Sequence, residues 1–259
     1  MAVSHRCSIE YRLASDETTN SFGGFGPFFG EAMGERERLL QEHLWSFLTD
    51  DRRQRLLGVL AQRTRHLTVV LENVYQPHNT SAVLRSCDAF GVQDVHITEA
   101  ENHFRVTREI ALGTDKWLTI HRYTQASDPS KTCIEKLRRD GYRILVTSPS
   151  DSAMPLADVD ISERTALVIG HEKNGVSQMF QEAADACVVI PTCGFVDSLN
   201  LSVAAAVCLR DLTRRMRKSD ATWQLSDAER DVLLRDWTAR SVPNVEAIKK
   251  RFRRECEMA

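Results

Sequence analysis

Short apolar runs alternate with longer segments of helical spacing through the middle of the chain. LTVVLEN (67–73), DVHIT (94–98), WLTIHRY (117–123), YRILVTS (142–148), TALVIG (165–170) and CVVIP (187–191) are brief, rich in Val, Ile and Leu, and read as strands. Between them, helices are predicted over 79–91, opened by Asn79 and stopped by Gly91, over 131–141, ending at Gly141, and near 177–186. A long helix follows over 199–218. Strands that alternate with helices in this way predict an α/β fold, a largely parallel sheet with helices on both faces.

The flanks read differently. Residues 1–34 include NSFGGFGPFFG (20–30), which has neither strand nor helix periodicity and is expected to be an irregular arm. Its Gly24-Phe-Gly26 follows no strand, so it is not a dinucleotide fingerprint. From Glu35, the positions Leu39, Leu40, His43, Leu44 and Phe47 recur at helical spacing. A second helix carries Leu56, Leu57 and Leu60, with Asp50 or Asp51 as its cap. Arg52, Arg53, Arg55, Arg63 and Arg65 give that helix a basic face, either solvated or facing RNA. Residues 221–259 predict one or two charged helices that pack back or clamp a partner. The expected division is an N-terminal arm and helical extension (1–65), an α/β domain (66–218) and a helical C-terminal extension (219–259).

A chain of 259 residues, 42% hydrophobic and 27% charged, has the composition of a globular protein with a full core. Its net charge of −2 does not point to a nucleic acid. Local clusters change that picture: Arg210, Arg214, Arg215, Arg217 and Lys218 crowd one segment, and Lys249, Lys250, Arg251, Arg253 and Arg254 another. Either could be a solvated helix face or a phosphate-binding surface. The seven cysteines include no C-x-x-C pair, so reduced thiols are expected and a zinc site is not. No apolar leader core is seen at the N-terminus, and no stretch approaches the ~20 apolar residues of a membrane span. The expected compartment is the cytoplasm.

Polar residues gather where strands end, which is where α/β proteins place their sites. HNTSAVLR carries Asn79 and Arg85; IGHEKNGVS carries Glu172 and Asn174; IPTCGFVDSLNLSVAAA carries Ser198, Asn200 and Ser202. Taken singly, each has a structural reading. Asn79, Ser198 and Asn200 could be helix caps, Arg85 an ion-pair partner, and Glu172 a carboxylate drawn to a helix N-terminus. The chain has no G-x-x-x-x-G-K-[ST] loop, no G-x-S-x-G elbow and no H-E-x-x-H helix, which disfavours a nucleoside triphosphatase, a serine hydrolase and a zinc protease. His78 and His171 flank the turns without forming a triad.

Three runs together go further. TVVLENVYQPHNTSAVLRSCDAFGVQDVH, ALVIGHEKNGVS and VVIPTCGFVDSLNLSVAAAV resemble, in order and spacing, the three motifs of the SpoU family of RNA 2′-O-ribose methyltransferases. PHNTSA and DSLNLSVA are most similar to its TrmH branch, whose members methylate guanosine 18 in the tRNA D-loop. The resemblance implies a SPOUT-type α/β domain with a deep trefoil knot, here over about 167–206, working as a homodimer. It implies S-adenosylmethionine as methyl donor, a structured RNA (tRNA, with ribosomal RNA as the alternative) as substrate, and neither DNA nor a metal. Carried over by motif position, Arg85 would be the catalytic arginine, with Asn79, Glu172, Ser198 and Asn200 as its site partners. Thr147, Gly170, Ile190 and Leu199 would touch the cofactor. A methyl donor without phosphates also explains why no glycine-rich phosphate cradle is present. The N-terminal ~50 residues exceed what compact relatives carry. A non-catalytic RNA-binding protein on this fold and a nicotinamide-dependent oxidoreductase are the other readings; the second lacks its fingerprint turn.

Overall fold

The computed structural model describes residues 34–99, 103–124, 128–148, 153–196 and 198–257. The Phe/Gly stretch 20–30 lies outside them. Two helices, α1 (Glu35–Ser46) and α2 (Asp50–Leu60), precede β1 (Leu67–Glu72), α3 (Pro77–Phe90), β2 (Asp94–Thr98), a short α4 (Arg108–Ala111), β3 (Thr119–Tyr123) and α5 (Pro129–Arg139). There follow β4 (Arg143–Thr147), a two-residue β5 (Met154–Pro155), β6 (Thr165–Ile169), α6 (Gln178–Glu182), β7 (Ala186–Val189) and α7 (Leu201–Met216). The described chain ends in α8 (Asp227–Ser241) and α9 (Val245–Glu257).

Among the described residues, seven strands form one sheet in the order β3-β2-β1-β6-β4-β7-β5, with every described pairing parallel. Central strands β1 and β6 are buried along their whole length, which is why they read as unbroken apolar runs. Their side chains alternate between two cores. Leu67, Val69, Leu71, Leu167 and Ile169 meet Val83, Leu84 and Cys87 of α3 and Ala205, Leu209 and Leu212 of α7. Val70, Ala166 and Val168 point the other way, into a cluster with Cys133 and Leu137 of α5 and Phe180 of α6. Each fully buried aliphatic side chain contributes about 1.5–3 kcal/mol.

The ends of the elements correct several sequence expectations. Asn79 is not the cap of α3: Pro77 takes the first helical turn behind Gln76, and Asn79 lies inside the helix. Gly91 does end α3, at φ 81°, where an added Cβ would lie 2.4 Å from the Gln62 carbonyl oxygen. The cap of α2 is Thr49, not Asp50 or Asp51, with its side chain accepting from the Arg52 N–H. β5 was missed because two residues carry no periodicity.

Helices on either side of the sheet region in sequence contribute to a third core. Leu44, Leu48, Leu56 and Leu60 pack with Leu233, Leu234, Trp237 and Val242, so α1 and α2 share an apolar centre with α8. Leu39, Phe47 and Leu57, expected inside, are exposed, whereas Arg63, expected on a basic face, is 1% exposed. Its guanidinium pairs with Asp88 of α3, donates to the Val92 carbonyl (3.4 Å) and lies over the Trp237 ring at 5.3 Å. No described helix is long and apolar enough to cross a membrane, and the six described cysteines are free thiols.

Candidate active site

Strand order reverses between β1 and β6: β1, β2 and β3 run outward one way, and β6, β4, β7 and β5 the other. In open parallel sheets, ligands bind beyond the strand C-termini at such a point. A cleft of about 330 Å³ lies there, walled by residues that follow β4, β6 and β7. Thr147, Gly170, Glu172, Ile190, Ser198, Leu199 and Asn200 all line it, with His171 and Val188. Eight of the nine sequence candidates are thus accounted for in one place, the eighth being Asn79, which joins the cleft through hydrogen bonds.

Asn79 is 3% exposed. Its Nδ2 donates to Glu172 Oε1 at 2.9 Å, and its Oδ1 accepts from Asn200 Nδ2 at 3.3 Å. Glu172 also accepts the backbone N–H groups of Tyr75 (3.1 Å) and Gln76 (3.0 Å). Burial alone would raise the Glu172 carboxyl, but the donors from Asn79, Tyr75 and Gln76 outweigh it and hold the pKa below the ordinary value. The attraction of a carboxylate to a helix N-terminus is realised here, at α3 and across the sheet rather than at the nearer α6. Asn200 Oδ1 accepts from the N–H groups of Ser202 (2.9 Å) and Val203 (3.4 Å), so Asn200 caps α7 while its amide reaches Asn79. Capping and site roles coexist in one residue.

Gly170 is required by packing. An added Cβ would stand 2.3 Å from the Gly175 carbonyl, because the 171–175 loop folds back on itself. His171 and Gly175 exchange backbone hydrogen bonds of 2.8 and 2.9 Å, with Gly175 at φ 66°. The Thr147 hydroxyl donates to the Val168 carbonyl at 3.1 Å, tying β4 to β6 at the cleft floor.

Arg85 stands apart. It is exposed on α3 and does not line the cleft. Six residues beyond Asn79, it lies about 9 Å further along the helix and roughly a third of a turn round it.

Sequence reasoning passed over Glu72 and Tyr75, and placed His171 only as a flank of its turn. Glu72 is 4% exposed and accepts from Ser130 Oγ (2.9 Å), Ser177 N–H (2.8 Å) and Ser177 Oγ (2.6 Å), bracing the loop below the cleft. A carboxylate ending a wholly buried apolar strand was the available signal.

The lining suits a cofactor with an apolar ring and no phosphates. Val188, Ile190 and Leu199 offer aliphatic contact, backbone groups of the three turns offer donors and acceptors, and among the described residues no lysine or arginine lines the wall. Fold and cleft together define an α/β enzyme that works at the carboxyl edge of its sheet.

The comparisons with known proteins agree. Residues 66–210 match the SpoU rRNA methylase family. A tRNA (guanosine(18)-2′-O)-methyltransferase of Borreliella burgdorferi is 35% identical over 205 residues, covering 79% of this chain and 92% of the relative. One from Thermus thermophilus is 37% identical over 171 residues, covering 66% and 86%. Among solved structures, the Aquifex aeolicus TrmH/SpoU tRNA modifying enzyme superposes with a TM-score of 0.65 at 32% identity, covering 79% of this chain and 98% of its own. The chain belongs to the SpoU methylase family.

Proposed function

We propose that the chain transfers a methyl group from S-adenosylmethionine to a ribose 2′-oxygen of tRNA, with guanosine 18 of the D-loop as the target. The observation that carries this is the hydrogen-bonded set Asn79–Glu172–Asn200 at the rim of the strand-end cleft. The relatives named for guanosine-18 methylation support the choice of nucleotide.

The cleft residues Gly170, Ile190, Leu199 and Thr147 would hold the cofactor, which supplies a methyl group already activated by its sulfonium. The protein's task is then to bring the ribose hydroxyl into line and let its proton leave. Arg85 offers a planar fork of N–H donors and no acceptor, so it grips the neighbouring phosphate instead of accepting the proton. Asn79, Glu172 and Asn200 hold one another rigid, and Ser198 supplies a hydroxyl on the cleft wall.

Arg85 does not line the cleft of its own chain, and this reading has a second copy carry it there. α7 shows an exposed apolar face, with Val203 48% and Val207 39% exposed beside Ala206, and α7 packs on α3, the helix of Arg85. A closed two-fold contact across that face is the economical assembly. The trefoil knot over about 167–206, and cytoplasmic residence with reduced thiols, belong to the same reading. So does the division of labour: 66–218 for the chemistry, 1–65 and 219–259 for gripping RNA.

The test is single-turnover methylation of tRNA with labelled S-adenosylmethionine, followed by mapping of the modified nucleotide. Wild type is expected to label one ribose, and Arg85→Ala to lose at least 100-fold in rate, roughly 2.7 kcal/mol of transition-state stabilisation, while binding S-adenosylhomocysteine normally. Wild-type label on a base, or a normal rate in Arg85→Ala, would reject the assignment.

A further inference from the structure

We propose that Tyr75, backed by His171, is the seat on which the base of the target nucleotide stacks during methyl transfer. The inference rests on the RNA-methylation reading above. A ribose 2′-hydroxyl inside a folded RNA reaches a cleft at the end of a sheet only if its nucleotide leaves the surrounding stack, and proteins receive unstacked bases on aromatic planes.

Tyr75 meets the requirements of such a plane. It is 60% exposed, so its ring serves no core. It lies in the turn between β1 and α3, and its backbone N–H is fastened at 3.1 Å to Glu172, the carboxylate that also holds Asn79. The turn opens on Asn73 in the left-handed region at φ 51°, a conformation that sets the path of the chain into Tyr75. The Tyr75 ring centroid is 6.3 Å from that of His171, at an interplanar angle of 41°. His171 lines the cleft, so this pair places Tyr75 at its mouth.

The hydrogen bonds also decide what His171 can do. Its Nδ1 accepts the N–H groups of Lys173 (3.0 Å) and Asn174 (3.4 Å). Because Nδ1 accepts, Nε2 is the ring nitrogen that presents a donor. With its basic nitrogen already engaged, His171 is a backing ring and a donor to a carbonyl or phosphate oxygen, and it is not the proton acceptor of the reaction.

The full-length chain tests this with Tyr75→Phe and Tyr75→Leu beside wild type. Three quantities are measured on the same preparations: single-turnover methylation of total cellular RNA at saturating concentration, the S-adenosylhomocysteine dissociation constant, and the melting temperature. Base–aromatic stacking is worth a loss on the order of 10- to 100-fold when removed. Tyr75→Leu is expected to lose that much in rate, whereas Tyr75→Phe stays within about twofold of wild type. Cofactor affinity and melting temperature should be those of wild type in both, because the ring is exposed. A wild-type rate in Tyr75→Leu would overturn the proposal, as would equal losses in Phe and Leu, or a loss that follows the melting temperature or cofactor affinity. Absence of RNA methylation by wild type would instead strike the underlying reading, and the two failures are separable on the same plate.

Discussion

Glu172 shows how one side chain joins two distant segments. It follows the end of β6 and accepts two donors from the turn between β1 and α3 and a third from Asn79 in the first turn of α3, about a hundred residues earlier in the chain. Because its folded pKa is depressed, the sign of its pH dependence follows. The stabilisation is fully present above the unfolded value of about 4.3 and is lost as pH falls through the lower folded value. Glu172→Gln removes that contribution. Its melting temperature is expected to lie below wild type by a constant amount above about pH 5, the gap closing in more acid solution. Thermal melts from pH 3 to 8 would check this, and a gap that widens in acid would contradict it. The sequence singled out Glu172 from its place after a strand. It could not name Tyr75 and Gln76 as donors, because backbone N–H groups are common to nearly every residue.

At the scale of elements, the helical ends are fastened to the catalytic sheet by Arg63. The residue follows α2, pairs with Asp88 near the end of α3, and lies under Trp237 of α8, itself 1% exposed. Spacing alone put Arg63 among solvated arginines; its burial depends on α8, which arrives some 170 residues later. Arg63→Ala would leave the Asp88 carboxylate half-covered and open a space beside Trp237. The expected loss is about 3–5 kcal/mol of unfolding free energy, read as a lower urea midpoint. A change under about 0.5 kcal/mol, ordinary for a surface position, would show that the pair contributes nothing.

For the whole molecule, the exposed side of α7 carries the prediction. Val203 and Val207 sit one helical turn apart on it, and Arg210 and Arg214 continue the same groove. Val207→Glu places a carboxylate in the middle of the proposed two-fold contact, opposite its own copy. Wild type is expected to sediment as a dimer at micromolar concentration. The variant should sediment as a folded single chain with little methylation activity, since each cleft then lacks the Arg85 of its neighbour. A monomeric wild type with full activity would remove the second copy from the mechanism.

Periodicity determined the element types of the sheet region, because a buried parallel strand must be apolar throughout and a covering helix must be apolar on one side. The three polar turns, read with their order and spacing, determined the family. Strand order was beyond the sequence: nothing local to TALVIG says that β6 inserts between β1 and β4. Yet that insertion brings Glu172 to Asn79 and creates the cleft. The sharing of one core by α1, α2 and α8 and the placing of Tyr75 beside His171 were likewise decided only on folding. Each depends on contacts between segments far apart in the chain, and the residues that make them carry no local mark of their partners.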